Sequence, residues 1–427
     1  MDVIDIAALD AVELLEAFAQ GRMTPLQALQ GVTERIARRN PEINAFAAMN
    51  PAALNAARES TLRWQDGQAR ALEGVPVTVS DLVDVAGLPT RRGSKTTDAE
   101  AVRRDAPIIA VLRAAGAVII GKTNVSEFGW TYQGDSPLSG IIRNPWNILY
   151  TAGGPSGGAA AAAAGFFAPL HVADGDVCVA ASWCGVVGLK LGTMSENQGI
   201  TARSVADISL FSAVLKGQAP DETLGAGVQG LKIGLLRTPG FAAPATDIAW
   251  NAVATAKGIL QDQGAELSEI APSLPEIDKI YTSLWGAKRV KDVGQVVVAQ
   301  QTLLDPGLLA LTNRLEAKAP PSEQELEAAC AYAVQSMAAV EADVILCPVV
   351  PHGAPLAAAT TLDPLVALAQ DWAPWSMLFN VTGQPALTIP VGVDADGLPV
   401  SVLIVARAGG DEAALLRVAR ALEQGLE

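Results

Sequence analysis

The stretch HVADGDVCVAAS, residues 171–182, crowds together side chains that do chemistry. His171, Asp174, Asp176 and Cys178 are the residue types that ligate metals, trade protons or, at a thiolate, attack electrophiles. Their spacing matches no metal-site pattern, and a mixed histidine, carboxylate and thiol set is not diagnostic. The segment is therefore read as a loop with one partly buried histidine and no metal. Cys178 has no histidine evidently paired with it, so it reads as a buried, inert thiol. Asp174 and Asp176 flank Gly175, which is ordinary turn chemistry, and both are expected to cap turns or face solvent. A second candidate, Gly154-Pro155-Ser156-Gly157-Gly158, fits the G-x-S-x-G pattern of a nucleophile elbow, with His352 downstream as a base. An elbow needs a strand running straight into the serine. NPWNILYTAGG is broken by proline and glycine, so Ser156 is read as hydrogen-bonding a ligand or the backbone. Lys95 and Lys122 are expected to serve a turn or a salt bridge.

The elements that must position these residues follow from periodicity. Residues 1–65 read as a helical N-terminal arm: ALDAVELLEAFAQG, then TPLQALQGVTERIARRN, started by Thr24 and Pro25 and ended at Asn40-Pro41. Residues 66–427 read as a single α/β domain. GVPVTVS is a strand. DAPIIAVLRAAGAVIIGKTN is helix, then buried strand. TAGGPSGGAAAAAAGFFAPL is a loop entering a buried helix, and VVGLK is a short strand. SVADISLFSAVLKG is an amphipathic helix. LKIGLL and the helix TDIAWNAVATAKGILQDQG follow. Residues 305–340 are mostly helical, with a break at Pro320-Pro321. VILCPVV, PALTIPVGV and LPVSVLIVA are strands, and DEAALLRVARALEQ is a closing helix. Alternating helices and strands predict an α/β fold with a large mixed sheet.

Composition narrows the partners. The chain has 427 residues, 50% of them hydrophobic, enough to bury a sizeable core. Lys+Arg number 30 against 45 Asp+Glu, a net charge of −15, which argues against nucleic acid and anionic membranes. The apolar stretch from Gly157 to Ala173 is mostly alanine and falls short of the ~20 strongly apolar residues of a membrane span. The four cysteines form no CxxC pair, the N-terminus has no basic leader, and a reduced, cytoplasmic setting is expected. No strand–GxGxxG–helix unit and no P-loop is present, so no cofactor is implied.

Ordered phrases along the chain resemble the amidase-signature family: GVPVTVSDLVDVAGLPTRRGS, GAVIIGKTNVSEFGW, RNPWN, TAGGPSGGAAAAAAG, ASWCGVVGLK, FNVTGQPALTIPVG and DGLPVSVLIVA. The resemblance covers about residues 5–425. It implies the amidase-signature fold, a mixed sheet flanked by helices, with the active site at the sheet's edge under loops. It also implies a small-molecule ligand or substrate and, as a family expectation, a homodimer. Family members cleave amides with a Ser–cis-Ser–Lys relay. By that likeness the lysine position holds Ser80, the bridging serine position Pro155 and the nucleophile position Asp176. The oxyanion donors would be backbone N–H groups of Ala173, Asp174, Gly175 and Asp176, with Ser156 and Cys178 beside them. Substrate choice would lie in residues 275–325 and 352–376.

The chemistry of those replacements is severe. Ser80 has no basicity near neutral pH, Pro155 carries neither hydroxyl nor N–H, and Asp176 is a weak nucleophile toward an amide. Two carboxylates at the oxyanion position would repel an anion and favour a cation, a metal or a hydrogen-bond donor. Three functions remain in view. One is a degraded amidase homologue that keeps its cleft for a small ligand or a partner. Another is an enzyme using Asp176 as general acid or base. The third is an atypical hydrolase of amide, ester or carbamate bonds.

Overall fold

The computed structural model describes all residues except 1–8, 159, 161–166, 193–197, 242–243, 318–320, 358–371 and 411. The strands in chain order are β1 Phe46–Met49, β2 Pro76–Ser80, β3 Val118–Thr123, β4 Asp135–Ser136, β5 Gly140–Ile141, β6 Leu170–Asp174, β7 Val187–Leu191, β8 Gln198–Ala202, β9 Lys232–Leu236, β10 Glu266–Ile270, β11 Val344–Pro348, β12 Ala386–Val393 and β13 Pro399–Ala406. Eleven of them form one sheet in the order β1-β3-β2-β6-β8-β7-β12-β13-β11-β9-β10, while β4 and β5 form a small hairpin. Neighbours β2–β3, β2–β6, β9–β10 and β9–β11 are parallel and the other pairs of the large sheet antiparallel. The mixed, helix-flanked sheet is the expected fold.

The central strands are apolar on both faces because helices cover both. Val77, Val79, Leu170, Val172, Leu189, Leu387 and Ile404 are fully buried, and each such side chain stabilises the fold by about 1.5–3 kcal/mol. The closing helix Ala413–Leu426 lays Leu415, Leu416, Ala419 and Leu422 on that core at helical spacing.

The structure differs from the sequence reading in four places. The second helix, Pro25–Ile43, runs through Pro41 instead of ending before it. Pro41 lies in the last turn, where little helix remains to be disrupted. The helix then stops at Asn44 in the left-handed region (φ 58°), and Asn40 Oδ1 accepts from the N–H groups of Ala45 and Phe46. Residues 46–49 are a strand within the segment read as helical; β1 pairs antiparallel with β3 at the sheet edge. His171 stands on β6, not on a loop, and is completely buried rather than partly. β8 and the half-exposed edge strand β10 have too little alternation to stand out, and their pairing partners create them. The alanine-run helix falls mostly on residues 159 and 161–166, outside the described residues, as does much of 352–376.

Candidate functional site

β2 ends at Ser80, and the chain turns at Asp81 into the loop that carries Leu82. Ser80 is completely buried, and its hydroxyl oxygen accepts from the Leu82 N–H at 3.3 Å. Beside it Lys122, from β3, makes a buried ion pair with Asp81 at 2.9 Å. The ammonium also donates to Pro89 O at 2.9 Å and Thr90 Oγ1 at 2.8 Å, so its three donors are used. Burial pulls the Lys122 ammonium below its ordinary value, and Asp81 opposes that shift. Lys122 thus holds the loop after β2, the salt-bridge role expected of it. Lys95 is exposed in a turn.

The Gly-rich loop sends its residues two ways. The Gly154–Pro155 bond is cis. Pro155 faces a cleft and lies against Gly175, where a Cβ would come within 4.0 Å of its Cγ; Gly175 has φ +117°, a conformation glycine tolerates best. Ser156 faces the interior instead. Its Oγ is 3.0 Å from Thr123 Oγ1 and 3.2 Å from His171 Nε2, and His171 Nδ1 is 3.0 Å from Thr78 Oγ1. The parallel register that sets Thr78 beside His171 on β2 and β6 creates this network. Gly158 is required there, because a Cβ would fall 1.9 Å from the imidazole. Burial pushes His171 down to about 3, so the ring is neutral. His352 is elsewhere: it packs between Trp183 and Trp372, with ring centroids 6.3 and 6.0 Å away, and makes no pair with Ser156.

This neutrality has a pH signature. An unfolded histidine takes up a proton near 6.5, whereas His171 in the fold does not until about 3. Between those values the unfolded state binds the extra proton, so this residue destabilises the fold progressively as pH falls. At pH 5 the expected loss is about 2 kcal/mol, from ~1.4 kcal/mol per pH unit. Asp135, raised to about 6, and Asp207, raised to about 8, both by burial, pull the opposite way. Denaturant unfolding at pH 7 and pH 5 of the wild type and His171→Asn isolates the term: the variant should lose less stability on acidification. Equal losses in the two proteins would rule it out.

Asp176 sits at the start of the helix Cys178–Cys184 and is 7% exposed. One carboxylate oxygen accepts from the Cys178 N–H at 2.8 Å; the other accepts from Ser376 Oγ, from Asn380 Nδ2 at 3.1 Å and from the Tyr132 hydroxyl at 3.5 Å. Ser376 and Asn380 are four apart on the helix Pro374–Thr382 and so share a face. Burial raises Tyr132 well above its ordinary value and Tyr281, 3.5 Å from it, to about 12, so both keep their protons as donors. Burial, then the Asp176 charge, pushes the Cys178 thiol far up. It is a thiol and not a nucleophilic thiolate.

The cleft in front of Asp176 encloses about 680 Å³ of free space counted out to the solvent at its mouth; the centre of a water molecule reaches about 80 Å³ of it. Its far wall is the helix Ile277–Gly294, which presents Tyr281, Trp285, Lys288 and Arg289 at i, i+4, i+7 and i+8. Lys288 lies 3.9 Å from Asp174. Arg289, 4% exposed, pairs with Asp292 at 3.0 Å and donates to Phe128 O.

Of the residues singled out from sequence, Pro155, Asp174, Gly175 and Asp176 meet in this cleft. Ser80, Ser156, Ala173 and Cys178 do not line it; Ala173 borders a neighbouring groove. Among the described residues, no group of three His, Cys, Asp or Glu could hold a metal ion. Tyr132, Tyr281, Trp285, Lys288, Arg289, Ser376 and Asn380 were not anticipated individually. The helical spacing of Tyr281, Trp285 and Arg289 was the available signal, within the 275–325 segment expected to govern ligand choice. Ser156 and His171 share no motif, and only the sheet register joins them.

The sequence profile described as Amidase matches residues 27–415. A glutamyl-tRNA(Gln) amidotransferase subunit of Roseiflexus castenholzii is 29% identical over 97% of this chain and 95% of its own. The corresponding subunit of Pseudomonas fluorescens is 28% identical over 92% of both chains. Among solved structures, a bacterial aryl acylamidase of the amidase-signature family superposes with TM-score 0.86 at 20% identity, covering 98% of this chain and 96% of that one. A 6-aminohexanoate cyclic dimer hydrolase superposes with TM-score 0.82 at 25% identity, covering 99% and 98%. With a matched fold, a family profile over most of its length and full-length relatives, the chain belongs to the amidase family.

Proposed function

We propose that this amidase-family protein has lost the family's Ser–cis-Ser–Lys amide hydrolysis and keeps its cleft for a small molecule. The observation that supports the reading is the state of Asp176. The residue assigned to the nucleophile position is a carboxylate already accepting from two side-chain hydroxyls, an amide and a backbone N–H. Such an anion is held as a hydrogen-bond acceptor by its neighbours, and a carboxylate is a weak nucleophile toward an amide. Ser80 and Pro155, assigned to the other two relay positions, offer no amine and no hydroxyl to the cleft. Lys288, which does line it, faces Asp174. We read the protein as cytoplasmic, with residues 1–65 an arm on a single α/β domain and a homodimer as the assembly. Among the described residues no helix is long and apolar enough to cross a membrane.

One observation favours a second reading, atypical hydrolysis through Ser156: its Oγ touches a histidine nitrogen. Two facts weigh against it. The imidazole, pushed down to about 3, is a poor base, and the serine is only 5% exposed. The deciding measurement is turnover of a panel of p-nitroanilides and p-nitrophenyl esters by purified protein and by Ser156→Ala. Both should stay at the uncatalysed rate. Robust turnover by the unmodified protein, abolished by Ser156→Ala, would replace the first reading with the second.

A further inference from the structure

The charges on the cleft wall do not balance. Lys288 faces Asp174, and Arg289 pairs with Asp292. Asp176 is the carboxylate left over. It lines the cleft, is 7% exposed, and accepts only from neutral groups: the Cys178 N–H and the side chains of Ser376, Asn380 and Tyr132. Among the described residues no lysine or arginine forms an ion pair with it. The buried Lys190 feels the Asp176 charge but donates to Gly192 O at 3.2 Å and Phe379 O at 3.0 Å, and burial pulls its ammonium below the ordinary value. The adjoining groove adds one charge of each sign, Asp84 and Arg92. A carboxylate taken out of water without a counter-charge is costly, and a cation brought to it relieves that cost.

Two further features point the same way. The Asp174 side chain is half-exposed and stands 3.9 Å from Lys288, a loose pair that contributes little and leaves the carboxylate open to a second cation. The rest of the wall is rich in rings: Phe128, Trp130, Tyr132, Tyr281 and Trp285 line the cleft in a chain that is 5% aromatic. The Tyr281 and Trp285 rings stack, with centroids 6.4 Å apart and planes 18° from parallel. Such a wall suits a flat apolar body, and ring faces carry partial negative charge that attracts cations.

We propose that the cleft binds a protonated arylalkyl amine, with its ring against Tyr281 and Trp285 and its ammonium beside Asp174 and Asp176. This rests on the reading of the cleft as a small-molecule site and names the class of molecule it takes. A carboxylate is the wrong ligand, because Asp174 and Asp176 repel it and both cations of the wall already have partners.

The test is calorimetric titration of the full chain with benzylamine and 2-phenylethylamine, beside benzyl alcohol (no charge), n-butylamine (no ring) and phenylacetate (opposite charge). At least one arylalkyl amine should bind saturably, one per chain, and about tenfold or more tighter than the three controls. Asp176→Asn keeps the shape and removes the charge; it should weaken binding about tenfold, with circular dichroism checking that this buried substitution still folds. Asp174→Asn, on a half-exposed side chain, should weaken it severalfold. Lys288→Ala, also half-exposed, removes a competing cation and should tighten it about two- to fivefold. Those opposite signs separate an electrostatic role from a merely structural one. Saturable binding of neither amine, a control binding as tightly, unchanged affinity in the folded Asp174 and Asp176 variants, or weaker binding in Lys288→Ala would each overturn the proposal. Running p-nitroanilide turnover on the same sample separates the two ideas. Turnover would sink the silent-site reading and leave the ligand class standing. An inert protein that binds neither amine would do the reverse.

Discussion

Replacing Ser80 by lysine, Pro155 by serine and Asp176 by serine in one protein is expected to create amidase activity. The three changes supply what the assigned relay positions lack: an amine to accept a proton, a hydroxyl to pass it and a hydroxyl to attack. Relay members act as a unit, and in comparable serine systems their loss costs on the order of 10⁴ to 10⁶ in rate. Restoring all three should therefore raise kcat/KM on a p-nitroanilide by at least about 10³ over the unmodified chain, while any single or double replacement stays near background. The design has a visible obstacle. Ser80 is completely buried, so the new lysine needs room. It also leaves Ser376 and Asn380, 0% and 3% exposed, without the carboxylate they now share, so the new serine hydroxyl must take over as their acceptor. A folded triple variant with no gain would show that the assignment of these three positions is wrong.

Lys122→Met is expected to destabilise the protein by about 3–5 kcal/mol, the usual result of stripping one partner from a buried ion pair. Asp81, 2% exposed, would keep, among the described residues, only the Arg91 N–H at 3.3 Å as a donor. The loss is chiefly the cost of an uncompensated carboxylate, and less the worth of the pair itself. The double variant Lys122→Met/Asp81→Leu should thus recover much of it. Urea denaturation of the wild type, single and double variants measures all three values. A single-variant loss below about 1 kcal/mol would mean that water reaches Asp81 and the pair behaves as a surface one. Damage at this pair should spread to the cleft, because Asp81 is the residue between Ser80 and Leu82, and Leu82 is part of the wall.

The scaffold was legible in the sequence where chemistry is local. Valine-rich 76–80, the alternation in 386–406 and the amphipathic 413–426 carry their structure in their own periodicity, and the observed elements follow them. What sequence could not supply was assembly. β6 has a histidine, an alanine and an aspartate in five residues, and it is a strand because β2 and β8 pair with both its edges. His171 meets Ser156 only through that register. Asp176 reads as turn chemistry from its glycine neighbour, and it does cap a backbone N–H two residues on. Its burial under Ser376 and Asn380, 200 residues later in the chain, has no local signature. The four positions that meet in the cleft were recognisable because phrases around them keep the family's order. The aromatic wall was not, because Tyr281 and Trp285 stand in a helix whose spacing also fits ordinary core packing.

The provenance of the cleft's walls bears on how the molecule comes together. Leu82, Trp130, Pro155, Asp176, Trp285 and Asn380 belong to separate stretches spread over about seven tenths of the polypeptide. No short excised fragment carries the binding surface, and a ribosome-bound chain released before the FNVTG segment lacks its Asn380 wall. High contact order of this kind makes docking of the last third a late event in folding. Until then the Tyr281–Trp285 face stays bare, and a ligand that seats there favours the completed fold over every shorter intermediate.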